Sequence, residues 1–254
     1  MPRHALGRAL LLFIVASFAL LATGLEGAAT AAARVSAGSG TASGHTAFET
    51  AYLRYSEQGT RDLVAIPAGG NVEAELARLT EEVRRAIRAA GPGGSVVDAV
   101  RTVLLSKEGY SYDSVAGNPE NYLLGTVLAR RKGNCLGLTM LCLVIAERLG
   151  APLRGVYVPS HCFVRYDGTG GCVNVEFADR GANWPDEKYR RVFALSGQRP
   201  YLKSLDPDQM LGVFLKSLGA AYSRRGRDME ALRLYAEAER LYPQLPDVHY
   251  NAGV

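Results

Sequence analysis

Apolar residues return at three- and four-residue steps from Asn71 to Ala90, at Val72, Leu76, Leu79, Val83, Ala86, Ile87 and Ala90, while Glu73, Glu81, Glu82, Arg84, Arg85 and Arg88 occupy the other face. This spacing predicts an amphipathic helix. Gly91-Pro92-Gly93-Gly94 ends it, and Ser95 caps a second helix containing Val96, Val97, Val100, Val103, Leu104 and Leu105, so the two make a helical hairpin. The pattern breaks at Gly109–Asp113. Asn118-Pro119-Glu120 then opens a third helix running through Leu123, Leu124, Val127 and Leu128 to Arg131. Arg130, Arg131 and Lys132 lie at its C-terminal end, where cations complement the helix dipole. From Leu136 to Leu149 the chain is apolar nearly all round, which predicts a helix buried in the middle of a domain. Gly150-Ala151-Pro152 stops it. Residues 153–158 and 162–166 read as strands, 167–171 as a hairpin loop and 172–177 as the returning strand.

The ends of the chain follow other patterns. Arg3, His4 and Arg8 precede an uncharged apolar stretch at 9–25, and Ala29-Thr30-Ala31 supplies small residues at cleavage spacing. A basic, apolar and small-residue order describes a secretory signal peptide over 1–31; an uncleaved membrane anchor is the alternative. Export places the protein in a periplasmic or extracellular setting, with no stable membrane span once the leader is cleaved. Residues 32–46 are small, polar and aperiodic, as in a flexible linker. Gly38-Ser39-Gly40 has neither the Lys nor the following helix of a phosphate loop.

The 254 residues carry 29 Lys and Arg against 25 Asp and Glu, with 48% apolar and 21% charged residues, which is ordinary globular composition. Losing 1–31 removes Arg3, Arg8 and Glu26 and lowers the net charge from +4 to +3. Such a balance does not point to nucleic acid. With 4 His and 4 Cys, the supply for a catalytic or metal site is small. His4 lies in the leader, His45 in the linker and His249 in the C-terminal segment, which leaves His161, at the start of the hairpin. Cys135 opens the buried helix, where free N–H groups and the dipole favour a thiolate; the plainer reading is a small buried residue. Cys142, two turns deeper, reads as packing. On the returning strand, Asn174 and Glu176 alternate with Val173, Val175 and Phe177, and either is a candidate to orient the imidazole.

Hairpin register separates two outcomes. Pairing His161 with Glu176, or with Asn174, uses one parity of cross-strand pairing. The other parity sets Cys162 opposite Cys172, as in a disulfide that export permits, and turns His161 away from both polar candidates. Loops of two or four residues favour the first. A zinc site from His161, Cys162 and Cys172 is disfavoured because adjacent strand residues face opposite ways.

Asn118–Leu124, Val127–Gly137, Arg148–Val156 and Pro159-Ser160-His161 together resemble the transglutaminase-like superfamily, closest to its SirB-type branch, over about residues 72–195. The resemblance implies an α+β, papain-like core of helices on an antiparallel sheet, spanning 47–204. It also implies acyl transfer by a peptidase, amidase or transglutaminase, with Cys135 as nucleophile, His161 as base and Glu176 as orienting acid, no cofactor and no metal. The chain departs from the usual pattern in having Glu rather than Asp at the third position. Many SirB-type relatives lack the cysteine, so a catalytically inactive scaffold that binds peptides or partner proteins is the alternative. Leu218, Gly219, Tyr222, Ala231, Tyr235, Ala238 and Pro243 resemble a tetratricopeptide repeat, which implies a protein partner through residues 205–254. Leu218 to Ala252 and Gly219 to Gly253 each span the 34-residue period, so a second repeat begins where the sequence stops.

Overall fold

In the computed structural model, residues 46–65, 70–115, 117–168, 171–195, 201–246 and 248 are described, all within one compact unit. The expected leader, most of the linker with His45, the loop residues 169–170 and the C-terminal stub with His249 lie outside the described residues. No described helix is long and apolar enough to cross a membrane.

The first helix, α1 (Ala47–Leu63), buries Phe48, Tyr52, Ser56, Gly59 and Leu63 on one face, and Thr46 caps it by accepting from Glu49 N at 3.1 Å. Two helices follow: α2 (Val72–Ala89), capped by Asn71, and α3 (Val96–Val100), capped by Ser95. The expected single helix from Ser95 continues past Val100 as a π-helical stretch, Arg101–Lys107, so its bonding pattern changes midway. Strand β1 (Ser111–Tyr112) pairs in parallel with β2 (Lys132–Gly133). Between them the expected third helix divides into a 3-10 turn, Pro119–Asn121, and α4 (Leu124–Arg130), which ends on Arg131 in the left-handed region at φ 49°.

The buried helix α5 (Cys135–Leu149) is the central element, with Leu138, Met140, Leu141, Cys142, Val144 and Ile145 at 0% exposure. Burial of each such aliphatic side chain contributes about 1.5–3 kcal/mol. It packs against a four-stranded antiparallel sheet of order β5-β4-β3-β6, made of β3 (Leu153–Val158), β4 (His161–Tyr166), β5 (Val173–Val175) and β6 (Ser204–Leu205). The sheet's other face holds a second, smaller core of Val156, Val158, Phe163, Tyr189 and Leu202, in which α6 (Asp186–Val192) places Tyr189.

Two long helices complete the fold: α7 (Pro207–Ser223), opened by an Asp206/Gln209 capping box, and α8 (Asp228–Leu241). They pack closely, since a Cβ on Gly219 would stand 2.7 Å from the Tyr235 ring. The other side of α7 belongs to the main core: Phe214 meets Tyr52 edge-on at 4.8 Å, and Met210 fills the space left by Gly155 on β3.

Candidate active site

The start of α5 is held by backbone rather than by side-chain bulk. Asn134 caps the helix, its side chain accepting from Gly137 N at 2.9 Å, and its own N–H donates to Asn121 O at 2.9 Å. Residues 121–122 press against the first turn so closely that a Cβ on Gly137 would come 2.2 Å from Asn121 O and 2.9 Å from Tyr122 Cα. Only glycine permits that approach. The effect is to fix Cys135 at the first helical position, where its N–H precedes the first intrahelical bond, Leu138 N to Asn134 O.

The hairpin supplies the partner. Val158 and His161 close β3 on β4 across Pro159-Ser160, with Ser160 in the left-handed region at φ 60°. On the other side β4 meets β5 in the register Val164–Val175, Arg165–Asn174, Tyr166–Val173. His161 therefore pairs directly with neither Glu176 nor Asn174, whereas each expected register set it opposite one of them. The pairing is shifted by one further step because the connection spans all of 167–172. Its parity nevertheless leaves His161 and Glu176 on one face as diagonal neighbours, about 7–8 Å apart at the backbone. A glutamate spans that gap: His161 Nε2 lies 2.7 Å from Glu176 Oε2. The same carboxylate accepts from Tyr189 Oη at 3.0 Å and, through Oε1, from Ala178 N at 2.9 Å, and it is 1% exposed. Phe193 stacks on the imidazole at 5.1 Å.

Asn174 is directed elsewhere. Its Oδ1 accepts from Arg165 Nε at 2.8 Å and its Nδ2 donates to Trp184 O at 2.7 Å, while Arg165 also donates to Leu202 O at 2.9 Å and pairs with Asp186. It braces the strand pair and the 183–186 segment, so its alternative placement against His161 does not occur. The register also puts Cys162 and Cys172 on opposite faces, and both are free thiols, Cys172 exposed and Cys162 buried. The disulfide alternative thus fails on geometry, as does a zinc site needing both. Among the described residues no cluster of three or more His, Cys, Asp or Glu is arranged to hold a metal ion.

Charge is distributed unevenly over the thiols. A hydrogen bond from the Cys162 thiol, aided by the His161 imidazolium, holds Cys135 well below the ordinary thiol range despite its burial. Cys162 keeps its proton for the same reason, its pKa pushed up by the Cys135 thiolate it donates to and by burial. Burial alone pushes Cys142 up to about 12. Burial pulls His161 down, but hydrogen bonds to Cys135 and Glu176 outweigh it and raise the ring to about 9. With Nε2 engaged by Glu176, Nδ1 is the ring nitrogen left for the hydrogen bond with Cys135.

Cys135, His161 and Cys162 open into a cleft of about 260 Å³, which Tyr157 and one face of α7 also line. Sequence pattern marked Cys162 only as a disulfide or zinc candidate, and it marked Tyr189, Phe193 and Lys216 not at all. The first three follow the strand alternation or sit on a short helix with no motif of its own, and Lys216 lies in a helix read as a repeat.

Two UPF0162 proteins of Xylella fastidiosa, from strains Temecula1 and 9a5c, are each 28% identical to this chain over 172 residues. The match covers 61% of this chain and 59% of the length of those curated relatives. Among solved structures, one of menin, described as revealing its binding site for the Mixed Lineage Leukemia protein, aligns with a TM-score of 0.36 and 11% identity, over 80% of this chain and 64% of that one. The family model described as the transglutaminase-like superfamily matches residues 70–215, from the start of α2 into α7 and across every element of the site. The chain belongs to the transglutaminase-like superfamily.

Proposed function

We propose that this protein is a cysteine acyl-transfer enzyme of the SirB-type branch, acting on a peptide or protein amide. The Cys135 thiolate attacks the carbonyl, and the oxyanion forms beside the first-turn N–H of α5. As the C–N bond breaks, the His161 imidazolium gives its proton to the leaving amine and a thioester remains on Cys135. His161 then takes a proton from the acceptor, which attacks the thioester and frees the thiolate. Water as acceptor makes a peptidase or amidase, and an amine makes a transglutaminase. Glu176 holds the ring and its charge throughout. The observation that carries this reading is the 2.7 Å contact of His161 Nε2 with a carboxylate itself fixed by Tyr189 and Ala178.

Thiol labelling and turnover of quenched peptide substrates test it. Cys135→Ala and His161→Ala are each expected to abolish turnover, and His161→Ala to remove the fast phase of labelling at Cys135. Unchanged function in both variants would leave a peptide-binding scaffold instead. Two further parts belong to the proposal. Residues 1–31 act as a secretory leader, which a fusion of this segment to a reporter active only outside the cytoplasm tests. The α7–α8 pair acts as a tetratricopeptide unit that holds a protein partner.

A further inference from the structure

The cleft in front of Cys135 draws positive charge from outside the catalytic residues. Val213, Lys216, Ser217, Ala220 and Arg224 line it, at the three- and four-residue steps that mark one face of α7 and its C-cap. Lys216 is 9% exposed; its Nζ donates to Tyr157 Oη at 2.8 Å and stands 4.7 Å from that ring's centroid. Arg224, exposed at the helix end, donates Nη2 to Gly117 O at 2.9 Å across the cleft mouth. With the His161 imidazolium these cations outnumber the Cys135 thiolate, and no Asp or Glu is among the described residues lining the cleft. A cleft whose net charge is positive concentrates anions within it.

We infer that this face of α7 is a carboxylate subsite: the substrate presents an anionic group, either an acidic side chain or a free C-terminal carboxylate, beside the amide that Cys135 attacks. Lys216 meets it as a buried point charge and Arg224 as a planar fork at the entrance, both through charge-assisted hydrogen bonds. The inference rests on the acyl-transfer reading, since it assigns the substrate of that same thiolate.

Paired alkylation tests it without a known substrate. Iodoacetate is an anion and iodoacetamide its neutral counterpart, and both react with Cys135. The ratio of their second-order rate constants at pH 7 and low salt is expected to exceed that of free cysteine. It should fall about tenfold in Lys216→Met, less in Arg224→Gln, and also with added salt. His161 is common to all three proteins, so its charge cancels in the comparison. Arg224 is exposed, and its variant keeps the test valid should Lys216→Met fail to fold. A ratio unchanged in the folded variants overturns the subsite. If both reagents label Cys135 only as slowly as an ordinary buried thiol, the acyl-transfer reading falls and the subsite falls with it.

The source of the carboxylate is read from protection of Cys135 against iodoacetamide. One acetylated tripeptide carries a central glutamate and an amidated end, the other a central glutamine and a free terminus. Protection by the first assigns an acidic side chain and by the second a terminus; protection by neither overturns the proposal.

Discussion

Glu176→Gln keeps the size of the side chain and removes its charge. Its Oε1 bond from Ala178 N survives, but Oε2, which meets both His161 and Tyr189, becomes an amide nitrogen facing a ring N–H. His161 stands at about 9 against its ordinary 6.5, because the bonds to Cys135 and Glu176 outweigh burial. Losing an adjacent opposite charge lowers such a group by about 1–3 pKa units, which brings the ring to roughly 6–8. In free energy that is about 1.4–4 kcal/mol. The sign follows from linkage: a value raised on folding contributes stability that is complete below 6.5 and lost as pH climbs through about 9. The variant should therefore be destabilised by that amount at pH 6 and by little at pH 9.5, measured by urea unfolding. Alkylation of Cys135 by iodoacetamide gives the second reading. The inflection at which the imidazolium loses its proton, at about 9 in the parent, should move down by the same 1–3 units. An unmoved inflection together with an equal stability loss at both pH values would refute the claim that Glu176 carries the imidazolium's charge.

Glu176→Asp retains the charge but is one methylene short of a diagonal neighbour, so the same inflection should move down, by less than in the Gln variant, in iodoacetamide titrations. Asn174→Ala strands Arg165 Nε and Trp184 O, costing about 2–4 kcal/mol in urea unfolding while leaving the Cys135 pH profile in place. Gly137→Ala drives a Cβ into the Asn121 carbonyl, and is expected to cost about 1–3 kcal/mol in thermal unfolding and to slow Cys135 labelling by displacing the first turn of α5. Cys142→Ala should cost about 1 kcal/mol and leave the labelling rate at Cys135 unaltered, since the 0%-exposed Cys142 thiol is packing alone.

Hydrophobic pattern made α2, α5 and the strands β3 and β4 legible in the sequence, because each has an apolar face or stretch long enough to outweigh local irregularity. Helix α1 carries a weak signal, since its buried stripe is Phe48, Tyr52, Ser56, Gly59 and Leu63, in which hydroxyls and a glycine stand where aliphatics signal a core. Tyr52 is fully buried because its hydroxyl finds Tyr122 O at 3.1 Å. The π-helical stretch and the 3-10 turn at 119–121 carry the same hydrophobic residues as an α-helix would, and the pattern cannot tell hydrogen bonds to the fourth residue from those to the third or fifth. For the site, parity placed His161 with the polar residues of the returning strand, but the choice between Glu176 and Asn174 lay in partners far along the chain. Arg165, Trp184 and Asp186 claim the asparagine, and Tyr189 joins the glutamate.

Helix α7 makes the protein hard to dissect. A fragment ending at residue 204, where the pattern invites a cut, would lose Met210 and Phe214 from the main core, leave Gly155 and Tyr52 facing emptied space, and remove one wall of the cleft together with Lys216. Severing α8 instead would uncover the Tyr235 side of Gly219 and leave that wall standing. The smallest piece able to keep the thiolate in its surroundings thus runs through Arg224, twenty residues beyond the apparent boundary, and the helix that looks like an appendage is a structural member of the domain that holds Cys135.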